Sequence, residues 1–120
     1  REGRLWLEDS NTELMFVTIN KSEKRFSPTT RYEDYAISDT LFHWQSQSTT
    51  SEDSPSGKRY QAGNARFLLF VRENQRDAYT YLGPVKYMKH EGSRPMSITW
   101  RLQTPMPASL LRRYATLKSA

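Results

Sequence analysis

The run Ala65–Glu73 (ARFLLFVRE) constrains the fold more than any other stretch. Phe67, Leu69 and Val71 alternate with Arg66, Leu68, Phe70 and Arg72, a period of two that a strand turns into one core-facing side. Ser97–Leu102 repeats the pattern, with Ile98, Trp100 and Leu102 inward and Ser97, Thr99, Arg101 and Gln103 outward. Between them, Asn74–Asp77 reads as a turn and Tyr79–His90 as a strand bent at Gly83-Pro84. Leu14–Ile19 is β-prone and apolar on both faces, which predicts a central strand. Thr40–Gln47 predicts a strand with Leu41, His43, Gln45 and Gln47 on one side and Phe42, Trp44 and Ser46 on the other. Tyr32–Ile37 reads as a short strand or a single turn. Pro105 and Pro107 end the strand series, and Ala108–Lys118 sets Leu110, Leu111, Tyr114 and Leu117 on one helical face.

These elements predict an α+β, mainly β domain: a strongly bent antiparallel sheet or small barrel with one C-terminal helix. A chain of 120 residues has room for one domain and one modest core. Residues 1–12 read as a flanking segment, and the Ser/Thr-rich stretch 48–57 as a mobile loop with too little apolar surface to pack. Arg1 opens the chain in place of a methionine, as in a piece of a larger protein. No apolar run is long enough for a bilayer span, no secretory leader is visible, and there is no cysteine. A reducing, cytoplasmic setting without membrane contact is the expectation.

Charge is divided unevenly along the chain. Residues 1–55 hold six Lys/Arg against ten Asp/Glu, whereas residues 56–120 hold twelve against Glu73, Asp77 and Glu91. The two parts stand at −4 and +9. A basic half raises local potential toward polyanions, of which DNA and RNA are the usual intracellular examples.

Motifs for chemistry are sparse. His43 and His90 have no HxH or HxxxH spacing, so neither a metal site nor a cofactor is expected. A nucleophile elbow and a phosphate-cradling glycine loop are both missing. Glu33, Asp34 and Asp39 precede a strand in a manner loosely suited to a metal-dependent nuclease, yet no ExK pair follows. The expectation is a binding module, not an enzyme, with no small-molecule ligand.

Nucleic-acid readers combine cations for phosphates, planar groups for stacking and amides for base edges. Arg31, Tyr32 and Tyr35 precede His43-Trp44-Gln45-Ser46-Gln47, and Lys58-Arg59-Tyr60 closes the Ser/Thr stretch. The expected roles are Arg31, Lys58 and Arg59 on phosphates, His43, Gln45 and Gln47 on base edges, and Tyr32, Tyr35 or Tyr60 in stacking. Lys86 and Arg101, outward on neighbouring strands, would extend a basic stripe. Trp44 reads as core. A protein-interaction module using the same aromatic patch is the alternative.

The segments FVTINKSEKRFSPTTRYEDYAIS, LFHWQSQSTTSEDSPSGKRY, LLFVREN, YLGPVKYMKHEGSRPMSITWRL and PMPASLLRRYA together cover about Leu14 to Ala115. They resemble the domain of unknown function at the C-terminal end of large bacterial superfamily II (DEAD/DEAH-type) helicases. Many of those proteins also carry a phospholipase D-like nuclease module. The resemblance implies a restriction or anti-phage defence setting, in which such a module would choose the DNA, with the parent's other domains as further partners. It supplies no catalytic residues. By analogy of strand pattern and context, a barrel of the PUA or SRA kind, which reads modified or flipped bases, is the expected architecture.

Overall fold

A computed structural model describes residues 3–20 and 33–115. Seven strands form one sheet: β1 (Gly3–Leu7), β2 (Thr12–Asn20), β3 (Tyr35–Ala36), β4 (Leu41–Gln45), β5 (Arg66–Asn74), β6 (Thr80–Glu91) and β7 (Ser97–Leu102). Two helices accompany them, α1 (Pro55–Ala62) and α2 (Ala108–Tyr114). The strand order is β1-β2-β5-β6-β7-β4-β3. The sheet is bent and mainly β in an α+β class, as expected, but three details differ.

First, the sheet is mixed, because β2 and β5 pair in parallel, from Thr12 opposite Arg66 to Asn20 opposite Asn74. The middles of both strands, Leu14–Val17 and Phe67–Val71, are apolar on both faces and so belong in the interior of the sheet. A parallel pair needs a long crossover, which β3, β4 and α1 provide. Second, the sheet does not close into a barrel: β1 and β3 stand at opposite ends of the order. Third, the stretch read as a loop ends in the first turn of a helix, α1, which continues beyond it to Ala62. Ser54 caps α1 by accepting the Gly57 N–H at 3.2 Å, Pro55 opens its first turn, and Gly63 ends it at φ 75°.

The rest of the 48–57 stretch is fastened at its edges. Arg94 N–H donates to the Thr50 carbonyl at 2.9 Å, and Glu52 N–H donates to Ser93 Oγ at 3.0 Å. Just before it, Ser46 exchanges bonds with Met96, through its own N–H and its Oγ, each at 2.9 Å. The segment 1–12, read as a flank, also contributes structure: β1 pairs antiparallel with β2, Gly3 facing Phe16 and Leu7 facing Thr12.

One side of the sheet is core. Met15, Val17 and Ile19, then Phe67, Leu69 and Val71, then Ile98, Trp100 and Leu102, with Phe42 and Trp44, are all buried there. The alternation read in β4, β5 and β7 is therefore the observed one. Trp100 sits among rings, with centroids at 4.9 Å to Phe67, 5.9 Å to Tyr60 of α1 and 6.1 Å to Trp44. Each buried ring of this kind contributes about 4–6 kcal/mol of transfer free energy before entropy is counted. Tyr114 closes the far end from α2.

β6 carries two irregularities, one opposite Leu69/Phe70 and one between Tyr87 and Lys89. Gly83, at φ 97°, marks the first, where the sequence placed a bend. Between the two irregularities, Lys86 faces Arg101 and is turned away from the core.

Candidate nucleic-acid interface

The register fixes which side chains share the outer face, the side turned away from the core. Tyr35 lies opposite His43, His43 opposite Thr99, and Thr99 opposite Lys89, giving one row across β3, β4, β7 and β6. The next row is Leu41, Arg101 and Lys86. Gln45 and Ser97 form a third, ending at Glu91. Among the strand positions described on this face, the charged residues are Arg66, Arg72, Lys86, Lys89 and Arg101 against Glu91.

The Tyr35 and His43 rings stack, with centroids 4.9 Å apart and planes 18° from parallel. His43 Nδ1 lies 2.7 Å from the Glu33 carbonyl oxygen. A carbonyl only accepts, so the neutral ring carries its proton on Nδ1 and keeps a lone pair on Nε2. Gln45 donates from its side chain to Ser97 Oγ at 3.4 Å, and its backbone N–H donates to Asp34 Oδ1 at 2.9 Å. Tyr35, His43, Lys89, His90, Glu91 and Thr99 line a concavity of about 250 Å³. A second concavity, about 330 Å³, has Arg66 and Lys86 among its lining residues.

Other residues of the expected site lie elsewhere. Tyr60 is fully buried in the core, so it offers no face for stacking. Arg59 is tied to the buried carboxylate of Glu13, from Nε at 3.2 Å and Nη2 at 3.0 Å, while its guanidinium covers the Trp6 ring at 3.9 Å. These contacts redirect Arg59 from phosphate binding to the interior. Burial, and then the charge of Glu13, push the Tyr60 phenol far above its ordinary value. Lys58 is exposed, but it rides on α1, the helix that packs over the core side. Gln47 is exposed beyond the end of β4. Arg31 and Tyr32 lie outside the described residues.

Thus Tyr35, His43, Gln45, Lys86 and Arg101 share the outer face, whereas Lys58, Arg59 and Tyr60 belong to the α1 side. The reading of the sequence left out Arg66 and Lys89 as site members, although the outward parity of Arg66 in its alternating run was visible. It also missed Glu13, whose signal is a lone acid in step with Met15 and Val17.

The acidic residues before β4 are structural in part: Asp34 is buried and holds the Gln45 N–H. Among the described residues, no three His, Asp or Glu side chains gather where a metal ion could be held. Next to the first concavity, Tyr87 Oη lies 2.7 Å from His90 Nδ1, and His90 Nε2 meets the Glu52 carboxylate. Burial, with Glu52 adding to it, raises the Tyr87 phenol above its ordinary value, which keeps it protonated. No helix among the described residues is long and apolar enough to cross a membrane.

The fold and the outer face together define a mainly β domain on an open, bent, mixed sheet with one cation-rich side. The chain belongs to the family described as a domain of unknown function, DUF3427, whose model matches residues 2–114. A comparison with curated proteins finds no match.

Proposed function

We propose that the domain is a DNA-binding accessory module, acting within a larger helicase or helicase–nuclease protein of the defence type. The observation that supports this most is the outer face, where, among the described strand positions, Arg66, Arg72, Lys86, Lys89 and Arg101 accompany one acid, Glu91. Cations placed side by side on neighbouring strands suit a line of phosphates. The stacked Tyr35 and His43 rings, the His43 lone pair and the Gln45 amide adjoin them and suit a base, including one displaced from its helix. Lys89 and Thr99 complete that concavity.

A titration of DNA at two salt concentrations tests the proposal. If Arg66, Lys86 and Arg101 each neutralise one phosphate of a duplex, log K falls against log salt with a slope of about −3. Absence of binding to duplex, single strand and base-modified duplex alike would remove it. As a binding module the domain leaves DNA intact in magnesium or manganese; cleavage would make it a nuclease instead.

A second reading, docking onto other domains of the parent protein, is favoured by β1. This strand ends the sheet, and its Leu5 and Leu7 are 49% and 39% exposed. It predicts capture of those domains with no salt-sensitive affinity for DNA.

A further inference from the structure

The outer face has a second region, which the cationic rows do not include. Phe16 of β2, Phe70 of β5, Tyr79 just before β6 and Tyr81 at its start lie together there. The centroids of Phe16 and Phe70 are 5.1 Å apart in a stacked pair, Phe70 and Tyr81 are 4.9 Å apart, and Phe16 meets Tyr79 edge-on at 5.3 Å. All four rings are turned away from the core. Tyr81 is 52% exposed, and Phe16, Phe70 and Tyr79 are half-buried. A strand places rings outward at the expense of solubility unless something covers them.

The cationic residues identify the occupant. Arg66 lies on the same strand and the same face as Phe70, four positions away, about 13 Å at the rise of a strand. That distance equals about four nucleotides of stacked strand. Rings beside cations, with Glu91 the one acid among the described strand positions of the face, are complementary to a polyanion that carries planar groups. A duplex does not meet this requirement, because its bases are already stacked on each other and present only edges and phosphates. Unpaired bases can lie on rings whatever their sequence.

We infer that the outer face binds single-stranded nucleic acid in preference to duplex, with Phe16, Phe70 and Tyr81 as the stacking platform, Arg72 over the Tyr79 ring at its margin, and Arg66 and Lys86 holding the backbone. This rests on the nucleic-acid reading above and specifies its substrate. Within a helicase, such a face would take the strand that unwinding releases.

Fluorescence anisotropy on the full chain tests the inference, using one labelled oligonucleotide alone and annealed to its complement, at the same salt. The single strand is expected to bind more tightly. Tyr81→Ala, at an exposed position, is expected to weaken single-strand binding by roughly five- to a hundredfold and to weaken duplex binding less, so that the preference for single strand narrows. Phe70→Leu, which keeps apolar bulk but removes the ring, is expected to act in the same direction. Duplex binding equal to or tighter than single-strand binding overturns the inference while leaving the DNA-binding proposal in place. So does unchanged single-strand affinity in Tyr81→Ala, or self-association of the chain that Tyr81→Ala abolishes. Failure of both nucleic acids to bind removes the inference together with the proposal beneath it.

Discussion

The Tyr60 hydroxyl donates to Glu13 Oε2 at 3.0 Å, joining α1 to the core-facing side of β2. The same carboxylate accepts Arg4 at 3.1 Å through Oε2 and Arg59 through Oε1, so one buried charge fastens β1, β2 and α1 together. A buried carboxylate is tolerated only when its oxygens are saturated, and here two guanidinium groups and a phenol saturate them. Glu13→Gln keeps the shape but leaves Arg4 and Arg59 without a counter-charge. The expected cost is about 3–5 kcal/mol in urea unfolding. A loss under 1 kcal/mol would show that the ion pairs are dispensable.

The same contact predicts a pH dependence. Burial and Glu13 raise the Tyr60 phenol, so the folded chain keeps a proton that the unfolded chain releases near pH 10. Stability should therefore be level through neutral pH with respect to this group and fall as pH rises above about 10. Tyr60→Phe is expected to flatten that decline when urea midpoints are followed from neutral to alkaline pH. Tyr87, raised for similar reasons, leaves a residual slope. An identical alkaline slope in Tyr60→Phe would refute the assignment.

Gly57 of α1 has no room for a side chain. A Cβ there would sit 1.9 Å from the Ser51 carbonyl oxygen, which is backbone and cannot swing aside. Gly57→Ala should lower stability by at least the roughly 1–3 kcal/mol usual for overpacking, despite alanine's better helix propensity. Thermal unfolding of this variant and wild type decides it; equal Tm values would mean that the turn before α1 adapts.

Charge reversal on the outer face separates function from folding. Lys86→Glu with Arg101→Glu removes two exposed neighbours across β6 and β7. Stability should change little, within about 0.5 kcal/mol per site. DNA affinity should fall, and its salt slope should become shallower by about 2. Retained affinity with an unchanged slope would move the DNA contact off this face.

Hydrogen exchange tests the packing of the Ser/Thr-rich segment. Ser46 N–H is bonded to Met96 and Thr50 N–H to the Gln47 carbonyl, and Lys58 N–H lies inside α1, bonded to Ser54. These amides should exchange more slowly than those of exposed Gln75 and Arg76 in the β5–β6 turn. Equal rates would restore the picture of a mobile loop.

Local periodicity revealed the strands it governs. The parity of Phe67, Leu69 and Val71, of Ile98, Trp100 and Leu102, and of Phe42 and Trp44 was legible because each set faces one core. Partnership between strands was not, since nothing in β2 or β5 alone indicates that they run side by side in parallel. β1 escaped notice because its inward positions are Arg4 and Trp6, a polarity that makes sense only once Glu13 lies across from Trp6. α1 was hidden by its serines, although Ser54-Pro55 before the helix and Gly63 after it are recognisable end signals. At the site, parity correctly grouped His43 and Gln45, and the strand register brought Lys86 and Arg101 to their face. Closeness in sequence misplaced Arg59 and Tyr60, which follow α1 to the other side of the sheet.

The parallel pairing of β2 with β5 has a temporal consequence. Asn20 and its partner Asn74 are 54 positions apart, so the β1–β2 hairpin leaves the ribosome well before the strand that will shelter it. At about 5–20 residues per second that interval is roughly 3–11 s, long enough for Phe16, Val17 and Ile19 to meet chaperones or other nascent chains. Truncation ahead of β5 would make this orphaned hairpin permanent, and such fragments should be recovered as aggregates.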